Sequence, residues 1–332
     1  MDINTKRKIL AILKVIQRNN KPMGSAAISR CLGEWGIDLQ ERMVRNYLSL
    51  ADEAGLTINL GRRGRIITKT GQQELEIGVA IDKVGFVAAR VDELTYRMNF
   101  DENTLTGTII LNVSVLPQDS FHQALGEIIQ AVKAKLGMGQ FLRIFEPGET
   151  VQEMLIQPGQ IAVGTICSVT LNGVLLRNGI TMVSRFGGLL EMNEGIPLRF
   201  SQIINYDGST LDPIETFIKG KMTSVHQAAL TGTGIIGASF REIPTVTLEA
   251  TQKILTKLEN IGLGSVLMAG KPNQPLLDIP VGHGRVGIIV AGGLNPLAAV
   301  EEMGIITQNR AMHNICDFKK MQTIAEIQQK YL

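Results

Sequence analysis

From Thr5 onward the apolar residues Ile9, Leu10, Ile12, Leu13 and Ile16 recur at helical spacing while Lys6, Lys14 and Arg18 take other faces, so the chain opens on an amphipathic helix. Asn19-Asn20-Lys21-Pro22 stops it. Ser25 is placed to cap a short second helix, AAISRCL, which Gly33 closes. After a link from Gly33 to Ile37, Asp38 is a second candidate cap. The segment behind it puts Val44, Tyr47, Leu48 and Ala51 on one stripe before Gly55 ends it. The opposite stripe carries Gln40, Glu41, Arg42, Arg45, Asn46 and Ser49, side chains able to reach base edges and phosphates. Two β-prone runs then flank Gly61-Arg62-Arg63-Gly64, the composition of a tight hairpin. Three helices and a hairpin are the winged helix-turn-helix plan, here predicted for residues 1–73. Trp35, the single Trp, falls in the link before the third helix and reads as a local apolar plug.

Beyond residue 73 the texture changes, from about Val84, to Gly-rich β-prone runs around two amphipathic helices. The predicted body, 74–332, is mixed α/β, which makes the whole chain α+β. TGTIILNVSVLP (106–117) and TGIIGASFREIP (233–244) align at an offset of 127. The same offset relates a helix from Ser120 to Leu136 to one from Thr247 to Leu263. An offset of 123 then pairs Val163, Gly164 and Ile166 with Val286, Gly287 and Ile289, and Leu171-Asn172 with Leu294-Asn295. We therefore expect an internal duplication, about 84–180 and 200–310, each half running strand, helix, strand, strand, short helix.

Charge separates the two parts. Residues 1–73 hold 13 Lys and Arg against 6 acids, a net +7, which leaves −5 for the remainder of a chain whose total is +2. A basic head on an acidic body points to a polyanion as partner of the head alone. With this charge, Arg62, Arg63 and Arg65 become the tip of a wing against duplex DNA, and Gln40, Arg42, Arg45, Asn46 and Ser49 become groove-reading candidates. The three cysteines, Cys31, Cys167 and Cys316, have no short spacing and suggest reduced thiols. No apolar run approaches a membrane span and the N-terminus lacks a signal-peptide core, so a cytoplasmic protein is expected.

Gly232–Gly237, GTGIIG, satisfies the G-x-G-x-x-G pattern of dinucleotide sites. That pattern requires a helix after the glycines, whereas here they lead into a β-prone run ending at Pro244. The glycines instead suit close backbone packing or a small ligand. Polar groups that could bind a small dianion gather in the second half: His226, Thr231, Arg241, His283, Arg285 and Asn295. No nucleophile elbow, P-loop, paired-carboxylate motif or metal-ligand spacing of the four histidines is found, so neither a catalytic nor a metal site is assigned. This favours a sensor over the alternative, a small-molecule enzyme with an appended regulatory winged helix.

The run GSAAISRCLGEWGIDLQERMVRNYLSLADEAGLTINLGRRGRIITKTG, followed by TGTGIIGASFREIP and DIPVGHGRVGIIVAGGLNP, resembles the NrpR family of archaeal nitrogen-regulation repressors. VGHGRVGIIVAGGLNP is the most specific block of the likeness. What the resemblance implies is a dimeric repressor of nitrogen-assimilation genes that binds operator DNA, needs no cofactor, and is released by 2-oxoglutarate as effector. It further implies that a second effector-domain protein of the family could be a partner, since some members carry two such domains and this chain has one.

Overall fold

The computed structural model describes residues 3–19, 21–82, 85–264 and 266–332, with side chains excepted at 3, 4 and 76–82. Asn20 and Val84, where the sequence marks the first helix stop and the start of the body, lie outside the described residues. Contacts divide the chain into Met1–Val84 and Gly85–Leu332.

In the first unit α1 (Ile3–Asn19) turns Ile9, Leu10, Ile12, Leu13 and Ile16 inward. They meet Ile28 and Leu32 of α2 (Ser25–Glu34) and Val44, Leu48 and Ala51 of α3 (Glu41–Glu53). Strands β1 (Thr57–Asn59) and β2 (Arg65–Ile67) pair antiparallel, Asn59 opposite Arg65, around a single 3-10 turn, Gly61–Arg63. Met23 adds a bridge to Arg65. The helix starts differ from expectation. Gly24, not Ser25, holds the cap position of α2, and the Ser25 hydroxyl donates to Glu41 Oε1 at 3.0 Å. Gln40 precedes α3 without a side-chain cap bond, so Asp38 caps nothing. The unit also runs past residue 73, because α4 (Lys69–Asp82) packs on α1 through Leu75 and a Lys6–Glu74 ion pair of 2.7 Å.

Gly64 closes the wing at φ +98°, and a Cβ there would stand 2.3 Å from the Met23 carbonyl carbon. Gly64→Ala combines a backbone conformation that L side chains resist with an overlap against main chain. It should cost about 2–4 kcal/mol, read as a lowered denaturant midpoint of the isolated first unit.

The second unit begins with α5 (Phe86–Arg97). Next come β3 (Thr108–Pro117), α6 (Phe121–Lys133), β4 (Phe141–Phe145), a small hairpin β5 (Thr150–Val151) and β6 (Met154–Leu155), β7 (Gln160–Ile166), α7 (Val169–Arg177) and β8 (Val183–Asn193). β9 (Ile196–Asn205), α8 (Pro213–Lys219) and α9 (Val225–Thr231) connect to the second half. That half is β10 (Gly234–Pro244), α10 (Leu248–Asn260), β11 (Val266–Ala269), β12 (Arg285–Ala291), α11 (Asn295–Glu302) and β13 (Gln308–Asp317), followed by β14 (Gln322–Thr323) and α12 (Ile324–Tyr331). GTGIIG thus runs into a strand, β10.

The strands form two five-stranded antiparallel sheets, in the orders β13-β3-β7-β4-β14 and β11-β12-β10-β8-β9. Each half is therefore β-α-β-β-α-β, and each hands its last strand to the other: β8 pairs with β10, and β13 pairs with β3. The duplication is real, but its second offset is 125 rather than 123. Pro117 faces Gln160 as Pro244 faces Arg285. Thr170 bonds both backbone groups of Ile110 as Asn295 bonds both of Gly237. A two-residue slip keeps every side chain on its own sheet face, so the apolar pattern cannot detect it.

Candidate functional site

β7 and β12 end side by side in the duplication, running into Cys167-Ser168 before α7 and Gly292-Gly293 before α11. Here a narrow, partly open cleft lies between the two halves. Asn112 and Ser239, Cys167 and Gly292, and Ser168 and Gly293 all line it, and each pair is related by the duplication offsets. The cleft is therefore shared by equivalent positions of the two halves. Its glycines are obligatory, since a Cβ on Gly293 would come 2.2 Å from the Ile166 carbonyl oxygen and one on Gly292 2.9 Å from that of Gly237.

What breaks the symmetry is charge. Arg241 of β10 lines the cleft with 1% of its surface exposed, whereas its counterpart in the first half is Ser114. Its Nε donates to Ser239 Oγ at 3.0 Å, Nη1 to the Ser168 carbonyl at 2.8 Å and to Asn172 Oδ1, and Nη2 to Ser168 Oγ at 2.7 Å. All these acceptors are neutral, and the second Nη2 hydrogen has no acceptor among the described residues. Burial pushes the guanidinium below its ordinary range. A buried cation with no carboxylate hydrogen-bonded to it carries a desolvation cost of several kcal/mol, which an anion in the cleft would offset.

Tyr206 and Asp212 complete the wall. Asp212 caps α8, its Oδ1 accepting from the N–H of Ile214 at 2.9 Å and of Glu215 at 3.1 Å. Burial raises the Asp212 carboxyl, and raises Glu215 to about 7, where the nearby Asp212 adds to the rise and the Ala311 N–H bonded to Glu215 opposes it. Burial likewise pushes the Cys167 thiol up to about 12.

Of the six residues the sequence proposed for a ligand, only Arg241 lines this cleft. His226 is tied elsewhere: its Nδ1 lies 2.6 Å from Glu127 Oε2 of α6, and its backbone N–H donates to Glu302 of α11. Thr231 spends its hydroxyl on the Gln227 and Thr233 carbonyls at the end of α9. His283 is exposed and Arg285 faces Pro244, at the end of β12 away from Gly292. Asn295 is fully buried behind the cleft, clamping Gly237 and the Leu136 carbonyl. Ser168, Tyr206, Asp212, Ser239 and Asn112 were not foreseen. Aligning the halves at 125 would have matched Cys167-Ser168 to the conspicuous Gly292-Gly293.

On the first unit, Gln40, Arg42, Arg45, Asn46 and Ser49 are exposed along α3 and its approach, and Arg62 and Arg63 are exposed at the hairpin tip. Arg45 shares an exposed ion pair with Glu41. Arg65 differs from its expected place at the tip. Cross-strand pairing turns it toward α3, where its Nε meets Asp52 Oδ2 at 2.8 Å, so it braces the hairpin. No helix among the described residues is long and apolar enough to cross a membrane, and no group of three or more His, Cys, Asp or Glu among them is placed to hold a metal ion.

A winged-helix head ahead of a duplicated body is the architecture of a transcription regulator. Residues 84–323 match the model of the NrpR regulatory domains NRD1 and 2, and residues 10–75 match the ribonuclease R winged-helix domain. The chain is 36% identical to the global nitrogen regulator NrpRI of Methanosarcina mazei, covering 98% of this chain and 100% of that protein. It is 30% identical to the global nitrogen regulator NrpR of Methanococcus maripaludis over 97% of its own length, and 29% identical to that of Methanocaldococcus jannaschii over 89%. It spans 56% and 51% of those two longer proteins. The crystal structure of a nitrogen repressor-like protein from Methanococcus jannaschii superposes with a TM-score of 0.61 at 28% identity, covering 71% of this chain and 97% of that one. The chain belongs to the NrpR family.

Proposed function

We propose that this chain is a nitrogen-responsive transcriptional repressor that binds operator DNA as a dimer through its winged-helix head and is released when 2-oxoglutarate occupies the cleft of its body. The names of its relatives support the nitrogen response, and the exposed polar face of α3 with Arg62 and Arg63 supports the DNA contact. Arg241 carries the ligand assignment: a buried guanidinium held only by neutral groups in the wall of a cleft selects an anion, and its planar fork suits a carboxylate. A differential affinity of about 1–3 kcal/mol between DNA-competent and released arrangements is enough to switch occupancy. Two heads related by a two-fold axis would read half-sites about 34 Å apart or a multiple of it.

The test is a gel-shift titration on DNA upstream of the chain's own gene. Retardation should appear without effector and vanish with 2-oxoglutarate but not with glutamate, and the acid should be recovered unchanged. Absence of retardation at low salt would remove the DNA assignment. Release by glutamate as well as 2-oxoglutarate, or by neither, would remove the ligand assignment.

A further inference from the structure

The wall that would admit an anion also carries a carboxyl group, with a second one a helical turn behind it. Arg241 is the single guanidinium in its wall, while Asp212 lies in the same wall and Glu215 follows one turn later on α8. Glu215 reaches the cleft indirectly: its Oε1 accepts the N–H of Ala311, and Ala311 and Met312 form part of the lining. These two residues sit in a bulge of β13 between Arg310 and Asn314. Met312 there has φ +50° and donates its N–H to Asn112 Oδ1 at 3.1 Å. A ligand with two ionised carboxylates would thus bring negative charge close to the Asp212 and Glu215 carboxyls, with Arg241 in the wall and Lys219 and Arg310 beside Glu215 as the cations there.

We propose that Glu215 takes up a proton when the dianion binds, so that effector affinity is linked to pH. The proposal rests on the reading of the cleft as the effector site. Before binding, Glu215 titrates at about 7, and a nearby dianion can only raise it further. The charged groups that face Glu215 come from four elements. On α8 they are Asp212 and Lys219, and β13 brings Arg310. β10 brings Arg241 in the cleft wall, and β8 packs on α8 through Gly187 and Phe186, its Arg185 being paired with Glu242. The bulge that holds Ala311 also takes a hydrogen bond from Arg90 of α5, at the Met312 carbonyl. Protonated Glu215 is favoured in the bound state, so binding is tighter below pH 7 and weakens as pH rises above it.

The test is calorimetric titration of the full chain with 2-oxoglutarate at pH 7 in HEPES and in Tris, whose ionisation enthalpies differ, with dissociation constants measured from pH 6.5 to 8.5. We expect uptake of about half a proton at pH 7 and an affinity that falls about 5- to 20-fold across that range. In Glu215→Gln, which keeps an acceptor for the Ala311 N–H, both effects should disappear. Wild-type binding with heats independent of the buffer overturns proton uptake alone, and undiminished uptake in Glu215→Gln overturns its assignment to Glu215. Failure of the wild-type chain to bind at any pH overturns the cleft reading itself.

Discussion

Arg241→Met is expected to yield a folded protein that no longer responds to 2-oxoglutarate. The side chain is 1% exposed and its partners are Ser239, Ser168 and Asn172, so the substitution removes a buried charge and leaves three neutral groups to rearrange. Methionine fills most of the volume. Replacing a buried charge with an apolar group of similar size is often neutral or stabilising by about 1–4 kcal/mol, so the melting temperature should hold or rise. Ligand binding is different, because a desolvated carboxylate deprived of its guanidinium loses about 2–5 kcal/mol, about thirtyfold or more in affinity. In the gel shift this variant should remain on operator DNA at effector concentrations that release the wild-type chain. Arg241→Lys should fall between the two, keeping charge but losing the fork that spans Ser168 and Asn172. A folded Arg241→Met with wild-type affinity for 2-oxoglutarate would show that the ligand binds elsewhere.

Arg241 was legible as a cationic group near the end of the Gly-rich, β-prone run GIIGASFREIP, where charge is rare unless a site or an ion pair accommodates it. Its neighbours were not. Ser168, Asp212 and Tyr206 come from connections in the first half and the link between halves, where a lone polar residue has no period against which to stand out. The GHGR and AGGLNP loops both stand out in the sequence as dense in glycine, but only the second borders the cleft, through Gly292 and Gly293, where backbone approaches within 3 Å of the missing Cβ. The exchange of β8 and β13 was hidden for another reason. Both strands fall at the ends of the repeats, and nothing in an alternating apolar run names its partner. The helices of the head were easier, since a 3.6-residue stripe is self-contained. Their caps still shifted by one or more residues, because the choice between Gly24 and Ser25 rests on backbone geometry.

The three arginines of GRRGR separate once register is known, and this gives the second large expectation. Arg62 and Arg63 lie on an exposed 3-10 turn, while Arg65 is half-buried and paired with Asp52. Arg62→Ala with Arg63→Ala should weaken binding to every duplex by about tenfold or more. It should also lower the slope of log K against log salt by about 1.8, since each phosphate bound contributes about 0.9. Discrimination between operator and random DNA should change little, because phosphate contacts carry no direct sequence information. Arg45→Ala or Asn46→Ala should do the reverse, costing about 1–3 kcal/mol of discrimination for each base edge no longer read. Arg65→Ala should act on folding, because it removes the ion pair to Asp52, leaving only the Thr57 hydroxyl to tie that carboxylate to the hairpin, and leaves the tip charge intact. If the double variant kept wild-type affinity and salt dependence, the hairpin tip would lie away from the duplex, and the excess charge of the head would have to act through α3 and its other faces.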